Sequence, residues 1–421
     1  MNKALRAKAK EMDIPLMELI LRRVDEIEKT DGIKRTIFAA CPNSISVIKA
    51  ALRASKRWDS PVKFPATLNQ VDTDLGYTGL SQETFVKTIY SEAKSIDLQV
   101  PVIIAVDHGG PWLKDKHTLE RWDFDRTFNW VKRSIEAAIV AGYDLIHIDP
   151  TVDITVPQDK QIPIKLVADR TIELIDHAEK FRSSRGYNRI AYEVGTEEVH
   201  GGLADIQTFR IFLDLLKNGL RDKGLGGVWP CFIVGKVGTD LHTNTFDPET
   251  ARTLTTIARE YGSVIKGHYT DDVINPGDYP LSGMGAANVG PEFTVMEYKG
   301  LQELEEIEQT LYQKGELPGK SNMGRSLREA VINSGRWKKW VLHGEDPSDI
   351  NSISPERQDW LVMTGCRYIW ENQEVTEARR QLYENLESHS VHAEDIVLLM
   401  IESAMDKYFE AFNLKGLNTL L

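Results

Sequence analysis

From residue 36 onward the chain alternates short apolar runs with longer amphipathic stretches. The short runs have few polar residues, as in 102–106, and this pattern is typical of strands buried on both faces of a parallel sheet. The longer stretches place apolar residues three or four positions apart, which predicts helices. The predicted strands are 36–40, 63–68, 102–106, 144–148, 189–194, 231–237, 263–266 and 286–289.

A helix is predicted after each of these strands, and several begin at a good capping residue such as Ser44, Ser81 or Asp247. Eight strand–helix units over about 280 residues match a (β/α)8 TIM barrel of the α/β class in number and size. A doubly wound open sheet is the main alternative. It is disfavoured because the chain has neither GxGxxG after its first strand nor a Walker loop.

The two ends of the chain have a different pattern. Residues 2–30 have apolar positions at helical spacing and predict one amphipathic N-terminal helix. After Pro318-Gly319 the alternation stops, and only helix-like segments follow. We therefore expect an N-terminal helical extension (1–31), a barrel (32–315) and a C-terminal helical subdomain (316–421) that covers the barrel mouth or forms a subunit contact.

Composition narrows the class of protein. The 421 residues carry a net charge of −12, which argues against nucleic acid as the main partner because phosphate backbones require a basic face. No apolar run reaches the ~18 residues of a membrane span, and the N-terminus lacks the apolar core of a signal peptide. Cys41, Cys231 and Cys366 are widely spaced, which indicates reduced thiols in a cytoplasmic protein.

Polar side chains concentrate where the predicted strands end. In a barrel these carboxyl ends meet on one face, where active sites lie. His108, His242 and His268 follow different strands, and three histidines with a carboxylate form the ligand set of a catalytic divalent ion. Glu197 is the fourth candidate ligand. The full set is Asn69, Gln70, Asp107, His108, His147, Asp149, Glu193, Glu197, His242, His268 and Asn288.

Single members of this set also fit purely structural roles. Asp107-His108 alone is equally typical of a strand-end turn with a helix cap. The recurrence of histidine at two later strand ends favours a functional role. His147 lies inside its strand and is better explained as a core or supporting residue. The remaining histidines are interpreted as structural; they are His117, His177, His200, His343, His389 and His392.

Several motifs together resemble those of a known family. They are Asn69-Gln70, Gly76-Tyr77-Thr78-Gly79, Asp107-His108 with Pro111, His147-Ile148-Asp149, Gly195-Thr196-Glu197, Asp240-Leu241-His242, His268-Tyr269-Thr270-Asp271 and Val289-Gly290-Pro291. The set is similar to that of the GatZ/KbaZ family, described as the non-catalytic subunit of tagatose-1,6-bisphosphate aldolase. That family in turn resembles the metal-dependent class II aldolases.

The resemblance implies roles for individual residues. In class II aldolases an Asp precedes the first metal-ligand His, as Asp107 precedes His108, and two further ligand histidines follow on later strands, as His242 and His268 do. An Asn near the last strand contacts the substrate, which corresponds to Asn288. The implied cofactor is a divalent ion, Zn²⁺ first, with Mn²⁺, Co²⁺, Ni²⁺ and Mg²⁺ as alternatives.

Members of the family have also been assigned as sugar-phosphate 4-epimerases acting on fructose 6-phosphate. We therefore expect a metal-dependent ketose (phosphate) 4-epimerase of the fructose/tagatose type, which cleaves and re-forms C3–C4. Asp107 is the expected acid/base, and Asp149, Glu193 and Glu197 are further catalytic candidates. The expected substrate contacts are Asn69, Gln70, Asn288 and, for a phosphate, Arg367.

Two other functions stay open. The chain is alternatively an accessory or catalytic subunit of a class II tagatose-1,6-bisphosphate aldolase. A sugar-phosphate kinase is the weaker alternative, because no nucleotide-phosphate loop is recognisable. The expected partners are a sugar or sugar phosphate and other copies of the chain, with an aldolase subunit in the alternative case.

Overall fold

The computed structural model describes residues 3–157, 160, 162–195, 205–240 and 243–421. Eight parallel strands form a closed barrel in chain order, with β1 paired to both β2 and β8. The predicted TIM barrel is therefore confirmed. The strands are β1 (Ile37–Ala40), β2 (Val62–Thr67), β3 (Val102–Gly109), β4 (Leu145–Ile148), β5 (Ala191–Gly195), β6 (Phe232–Val234), β7 (Val264–Gly267) and β8 (Ala286–Val289).

Helices surround the barrel and begin where the sequence offers caps. Ser44 accepts a hydrogen bond from the Val47 amide, and Asp123 and Asp247 cap two later helices in the same way. None of the helices in the described ranges has the length and apolar character needed to cross a bilayer. Up to the end of the barrel they are α1 (Lys3–Glu11), α2 (Leu16–Asp31), α3 (Ile45–Trp58), α4 (Gln82–Ser95), α5 (Asp115–Leu119), α6 (Phe124–Ala141), α7 (Ile164–Ser184), α8 (Ile206–Asp222), α9 (Pro248–Glu260), α10 (Asp278–Leu281) and α11 (Pro291–Gln313).

The N-terminal segment forms two helices, so the prediction of one helix over 2–30 is wrong. The break falls where Asp13 adopts φ 49° and Pro15 lacks the amide hydrogen a continuous helix would use. Arg6 of α1 donates to the Asp144 carboxylate at 2.5 Å and to the Val102 carbonyl at 2.7 Å. These contacts place α1 at the amino ends of β3 and β4, opposite the strand ends that carry the polar residues.

Residues 323–421 contain helices and no strand, as predicted. The long helix α15 packs against α3 and α11, and its Phe409 ring lies 4.8 Å from that of Phe38 in β1. This helix therefore belongs to the outer layer of the barrel, and the domain division at residue 315 stays a prediction. The helices are α12 (Met323–Ser334), α13 (Pro355–Gly365), α14 (Gln373–Glu387), α15 (Ala393–Ala411) and α16 (Leu417–Leu420), with 3-10 turns at Arg336–Trp340, Ile350–Ser352 and Cys366–Tyr368.

A distortion at the end of β3 shapes the barrel mouth. The β3–β4 register shifts between Val106 and Gly109, and His108 adopts φ 48°. In a regular strand, neighbouring side chains point to opposite faces. The distortion instead brings Asp107 Oδ2 and His108 Nε2 to 4.0 Å from each other. The acid and the imidazole therefore share one pocket.

The chain following β3 passes so close to the β4 loop that only glycine fits. A Cβ atom on Gly110 would lie 1.6 Å from the Asp149 carbonyl oxygen. We expect Gly110→Ala to lower the free energy of unfolding by at least about 1–3 kcal/mol, the usual effect of overpacking, in urea titrations. Gly227→Ala is the control because no atom lies within 4 Å of its Cβ position. Equal midpoints for the two variants would contradict this close approach.

His117 in α5 predicts a pH dependence of stability. The ring is buried, stacks on Trp122 at 4.6 Å and has no hydrogen-bond partner in the described chain. Burial, with the Lys114 charge, lowers the pKa of His117 from 6.5 to about 4. Between pH 6.5 and 4 the unfolded chain therefore binds a proton that the folded chain does not. The free energy of unfolding consequently decreases as the pH falls through this range. His117→Phe should show a shallower loss in urea titrations over that range, and an unchanged slope would contradict the assignment.

Candidate active site

Asp107 lies near the carboxyl end of β3 and is buried. Asn288 in β8 donates to its Oδ2 at 3.1 Å, and the Lys266 ammonium in β7 lies 3.5 Å from its Oδ1. Burial raises the pKa of a carboxyl group, but the charges of Lys266, His108 and His268 outweigh it and hold the pKa of Asp107 well below its usual value. Asp107 is therefore ionised at neutral pH and able to accept a proton.

Glu193 in β5 lies between two buried ammonium groups. Lys63 in β2 is 3.0 Å from Oε2, and Lys266 is 2.6 Å from Oε1. All three side chains are fully buried. With Asp107 they make two carboxylates and two ammonium groups, so the interior carries no net charge from these four residues. Such a set is stable only when complete, because removing one partner leaves an uncompensated buried charge.

His108 is oriented by the next strand. Its Nδ1 lies 2.5 Å from Asp149 Oδ2, and Asp149 also accepts a hydrogen bond from the Thr151 hydroxyl. A carboxylate partner on one ring nitrogen is the usual way to orient a metal-ligating histidine, and here Nε2 faces Asp107 Oδ2 at 4.0 Å. Burial lowers the pKa of His108, but Asp107 and Asp149 raise it to about 9 overall.

His268 lies on the other side of the pocket, after β7. Its Nε2 is 3.2 Å from Glu193 Oε1 and 3.6 Å from Asp107 Oδ1. Burial and the Lys266 charge lower the pKa of His268 to about 3, so its ring is neutral at neutral pH. A neutral imidazole is the form that binds a metal ion.

His147 in β4 completes a group of three imidazoles. The ring centroids of His108, His147 and His268 lie 4.6, 5.0 and 5.4 Å apart. The His108 amide donates to His147 Nδ1 at 3.1 Å, which makes Nδ1 an acceptor. That nitrogen also faces Asp107 Oδ1 at 3.3 Å and Glu193 Oε1 at 3.4 Å. Electron-pair donors that converge in this way form a suitable site for a cation.

The donor set fits a divalent metal ion. Ligand atoms about 2.0–2.1 Å from a tetrahedral ion are roughly 3.3 Å apart, and the spacings between the carboxylates and the imidazoles here are 3.2–3.6 Å. Two groups of side chains offer converging ligand atoms: Asp107, His147, Glu193 and His268, and also His108, His147 and Asp149. Lys266 already neutralises Glu193, so an ion that used Glu193 would have to displace that ammonium.

Two predicted site residues, His242 and Glu197, lie outside the described residues. Their proposed ligand roles stay predictions. Asp149 and Glu193, the other catalytic candidates, lie beside His108 and His268 respectively. The structure thus brings Asp107, His108 and His268 together at one end of the barrel.

Two of the predicted substrate contacts are engaged within the chain. Asn69 accepts from the Asp115 amide and donates to the Leu113 carbonyl. The Gln70 side chain accepts from the Thr67 amide and donates to Asn43 Oδ1. These amides position the loop after β2, and their contact with substrate stays a prediction.

The other two contacts keep unused polar atoms. Asn288 Oδ1 and the Nε and Nη2 atoms of Arg367 are buried and have no hydrogen-bond partner within the described residues. Nδ2 of Asn43 and Nε2 of His147 are also buried and have no hydrogen-bond partner within the described residues. Buried polar groups are rarely left unpaired without a functional reason, so these atoms are candidates for substrate contacts.

Lys63 and Lys266 are the site residues that sequence reasoning missed. The sequence does contain a signal for both, because each lysine interrupts an apolar run predicted to be buried on both faces. A lysine in such a strand needs a carboxylate partner. Which carboxylate it meets depends on barrel closure, since Lys63, Glu193 and Lys266 lie on three strands that are far apart in the chain.

A parallel eight-stranded barrel with buried histidines and carboxylates at the carboxyl ends of its strands has the architecture of the metal-dependent barrel enzymes. The model of the D-tagatose-1,6-bisphosphate aldolase subunit GatZ/KbaZ-like family matches residues 22–414, and the chain belongs to this family. The resemblance seen in the sequence motifs is thereby confirmed.

Solved structures share the fold. A probable tagatose 6 phosphate kinase from Sinorhizobium meliloti 1021 is 20% identical, with a TM-score of 0.74 over 90% of this chain and 100% of that chain. The fructose-bisphosphate aldolase from Campylobacter jejuni is 13% identical, with a TM-score of 0.55 over 94% of both chains. At these identities the likeness establishes the barrel fold alone.

The geometry around His108 predicts a graded effect on metal binding. His108→Ala and His268→Ala should lose the bound ion, as should His242→Ala if its predicted role holds. Asp149→Asn should weaken binding by about 10–100-fold, the usual effect of removing the partner that orients a ligand. The measurement is metal content after dialysis, with circular dichroism as the check on folding. His177→Ala, whose ring pairs with Glu136 on the helical layer, is the control and should retain the ion.

Proposed function

We propose that the protein is a metal-dependent ketose (phosphate) 4-epimerase that interconverts fructose-type and tagatose-type sugars. The observation that carries this proposal is the ionised, buried Asp107 carboxylate within a group of metal-type histidines. Membership of the GatZ/KbaZ-like family supports an aldolase-related reaction. The solved structures with this fold include proteins named for tagatose 6-phosphate and for fructose bisphosphate, which are related sugars.

The chemistry follows from the position of the C4 hydrogen, which is not α to the C2 carbonyl of a 2-ketose. Simple deprotonation cannot invert C4, but cleavage and re-formation of C3–C4 can. Asp107 accepts the C4 hydroxyl proton as C3–C4 breaks and an aldehyde forms at C4. After the aldehyde rotates, C3 adds to its other face and Asp107 returns the proton to the new hydroxyl group.

His108 and His268 would hold a divalent ion, with His242 as the proposed third imidazole ligand. When bound, such an ion supplies Lewis-acid stabilisation of the negative charge that C3–C4 cleavage leaves on the ketone fragment. Asn288 holds Asp107 through its amide, and its free Oδ1 is available to a substrate hydroxyl. Lys266 keeps Asp107 ionised before the proton is transferred.

The alternative function is an accessory or catalytic subunit of a class II tagatose-1,6-bisphosphate aldolase. An accessory role alone does not explain the pocket. Burying several ionisable groups involves a desolvation penalty that apolar side chains in the same barrel would avoid. The catalytic form of the alternative uses the same C3–C4 cleavage, but it releases the two fragments.

Asp107→Asn tests the assigned acid/base. Asparagine retains the shape and a hydrogen-bonding group but cannot accept the proton, so kcat of the folded, metal-loaded variant should fall by roughly 10²–10⁴-fold. The assay is formation of tagatose 6-phosphate from fructose 6-phosphate by the metal-loaded chain. Asp123→Asn is the matched control, because Asp123 caps α6 and asparagine caps a helix equally well. Full activity of Asp107→Asn would refute the assignment.

Isotopic labelling separates the reactions. A substrate deuterated at C4 should retain its deuterium on inversion, since the C4–H bond is never broken. Loss of the label to water would exclude C3–C4 cleavage. Label retention with free triose phosphate and no epimer would make the protein an aldolase. Absence of both bound metal and turnover would favour the accessory subunit.

A further inference from the structure

An arginine for which the described residues offer no carboxylate partner lies in the C-terminal segment. Arg367 follows α13 and is 8% exposed. Its guanidinium lies 4.7 Å from the Trp340 ring centroid and 4.9 Å from that of Tyr368. Within the described residues its Nε and Nη2 atoms have no hydrogen-bond partner, and no carboxylate forms an ion pair with it. A buried charge in this state lacks its counterion.

Arg367 is connected to the mouth of the barrel. The link is Tyr77 in the loop after β2, whose hydroxyl donates to Asn43 Oδ1, just after β1, at 3.1 Å. The Tyr368 ring also packs edge-on against that of Tyr77 at 5.2 Å. The unpaired guanidinium therefore lies near the loops that follow β1 and β2, at the end of the barrel where the strands present their carboxyl ends.

The surroundings of Arg367 are basic, although the whole chain carries a charge of −12. Arg336 lies 4.1 Å from the Tyr368 ring centroid and 5.6 Å from that of Tyr77. Arg336 and Lys339 share a single carboxylate, Asp115. With Arg367 these residues make three cations and one anion, so this side of the mouth keeps two positive charges. An excess of two positive charges matches a doubly charged phosphate better than a singly charged carboxylate.

We propose that Arg367 binds a phosphate monoester at the end of the substrate remote from the C3–C4 bond. This inference rests on the proposed function, because it places the phosphate on the same ketose. Two aromatic rings lie close to the guanidinium, and a bidentate contact with phosphate oxygens would use the two nitrogens that have no partner within the described residues. An anchor of this kind would retain the aldehyde fragment while it rotates, as epimerisation requires and simple aldol cleavage does not.

The test measures binding separately from turnover. The metal-loaded protein is titrated by calorimetry with fructose 6-phosphate, fructose and inorganic phosphate. Arg367→Met should weaken binding of the two phosphate ligands by on the order of 100-fold and leave fructose unchanged. Arg367→Lys retains the positive charge but cannot make the bidentate contact of a guanidinium, so it should give an intermediate loss of affinity. An intermediate loss would also show that the effect of Arg367→Met is not caused by misfolding. Arg328→Met is the control, since Arg328 bonds to Gln358 within the C-terminal helices.

The outcomes separate this inference from the function on which it rests. Arg367-dependent binding of fructose 6-phosphate without any C4 epimer would support the phosphate site and refute the epimerase. Epimerisation of fructose 6-phosphate that Arg367→Met leaves unchanged would support the epimerase and overturn the phosphate site. Arg367-dependent binding of a ketohexuronate, with none of phosphate, would also overturn it in favour of a carboxylate.

Discussion

The interior of the barrel depends on a carboxylate held between two ammonium groups. Glu193 pairs with Lys63 and Lys266, and thereby joins β5 to β2 and β7 across the barrel. Asp107 supplies the second negative charge that balances the second lysine. Breaking such a buried pair costs about 3–5 kcal/mol because the remaining charge is left uncompensated. The same four residues therefore link strands across the barrel and influence the pKa values of His108 and His268 in the pocket.

That charge arrangement gives two histidines opposite properties. His108 faces Asp107 and Asp149, which raise its pKa to about 9. His268 is buried beside Lys266, and its pKa falls to about 3. One side of the pocket thus favours a bound proton and the other favours a free electron pair. In the proposed reaction, proton transfer at Asp107 takes place between these two environments, and an ion bound to His268 need not displace a proton from it.

The C-terminal segment contributes to two different parts of the molecule. Helix α15 packs into the helical layer of the barrel through aromatic contacts such as Phe409 with Phe38. The turns that contain Arg336 and Arg367 instead reach the loop after β2. If Arg367 binds the substrate phosphate, recognition of the sugar lies on this added segment and the chemistry lies on the strands. Such a division lets the substrate change without disturbing the buried charges.

The pattern of the chain was sufficient to predict the barrel, because eight apolar runs separated by amphipathic helices have few other ways to bury their surfaces. It also predicted that Asp107, His108 and His268 would meet, since parallel strands present their carboxyl ends on one face. It did not place the break near Pro15 or the partners of Lys63 and Lys266, and it left His147 as a core or supporting residue. Those features depend on strand register, on the bulge at His108 and on barrel closure, which bring residues far apart in the chain to within hydrogen-bonding distance.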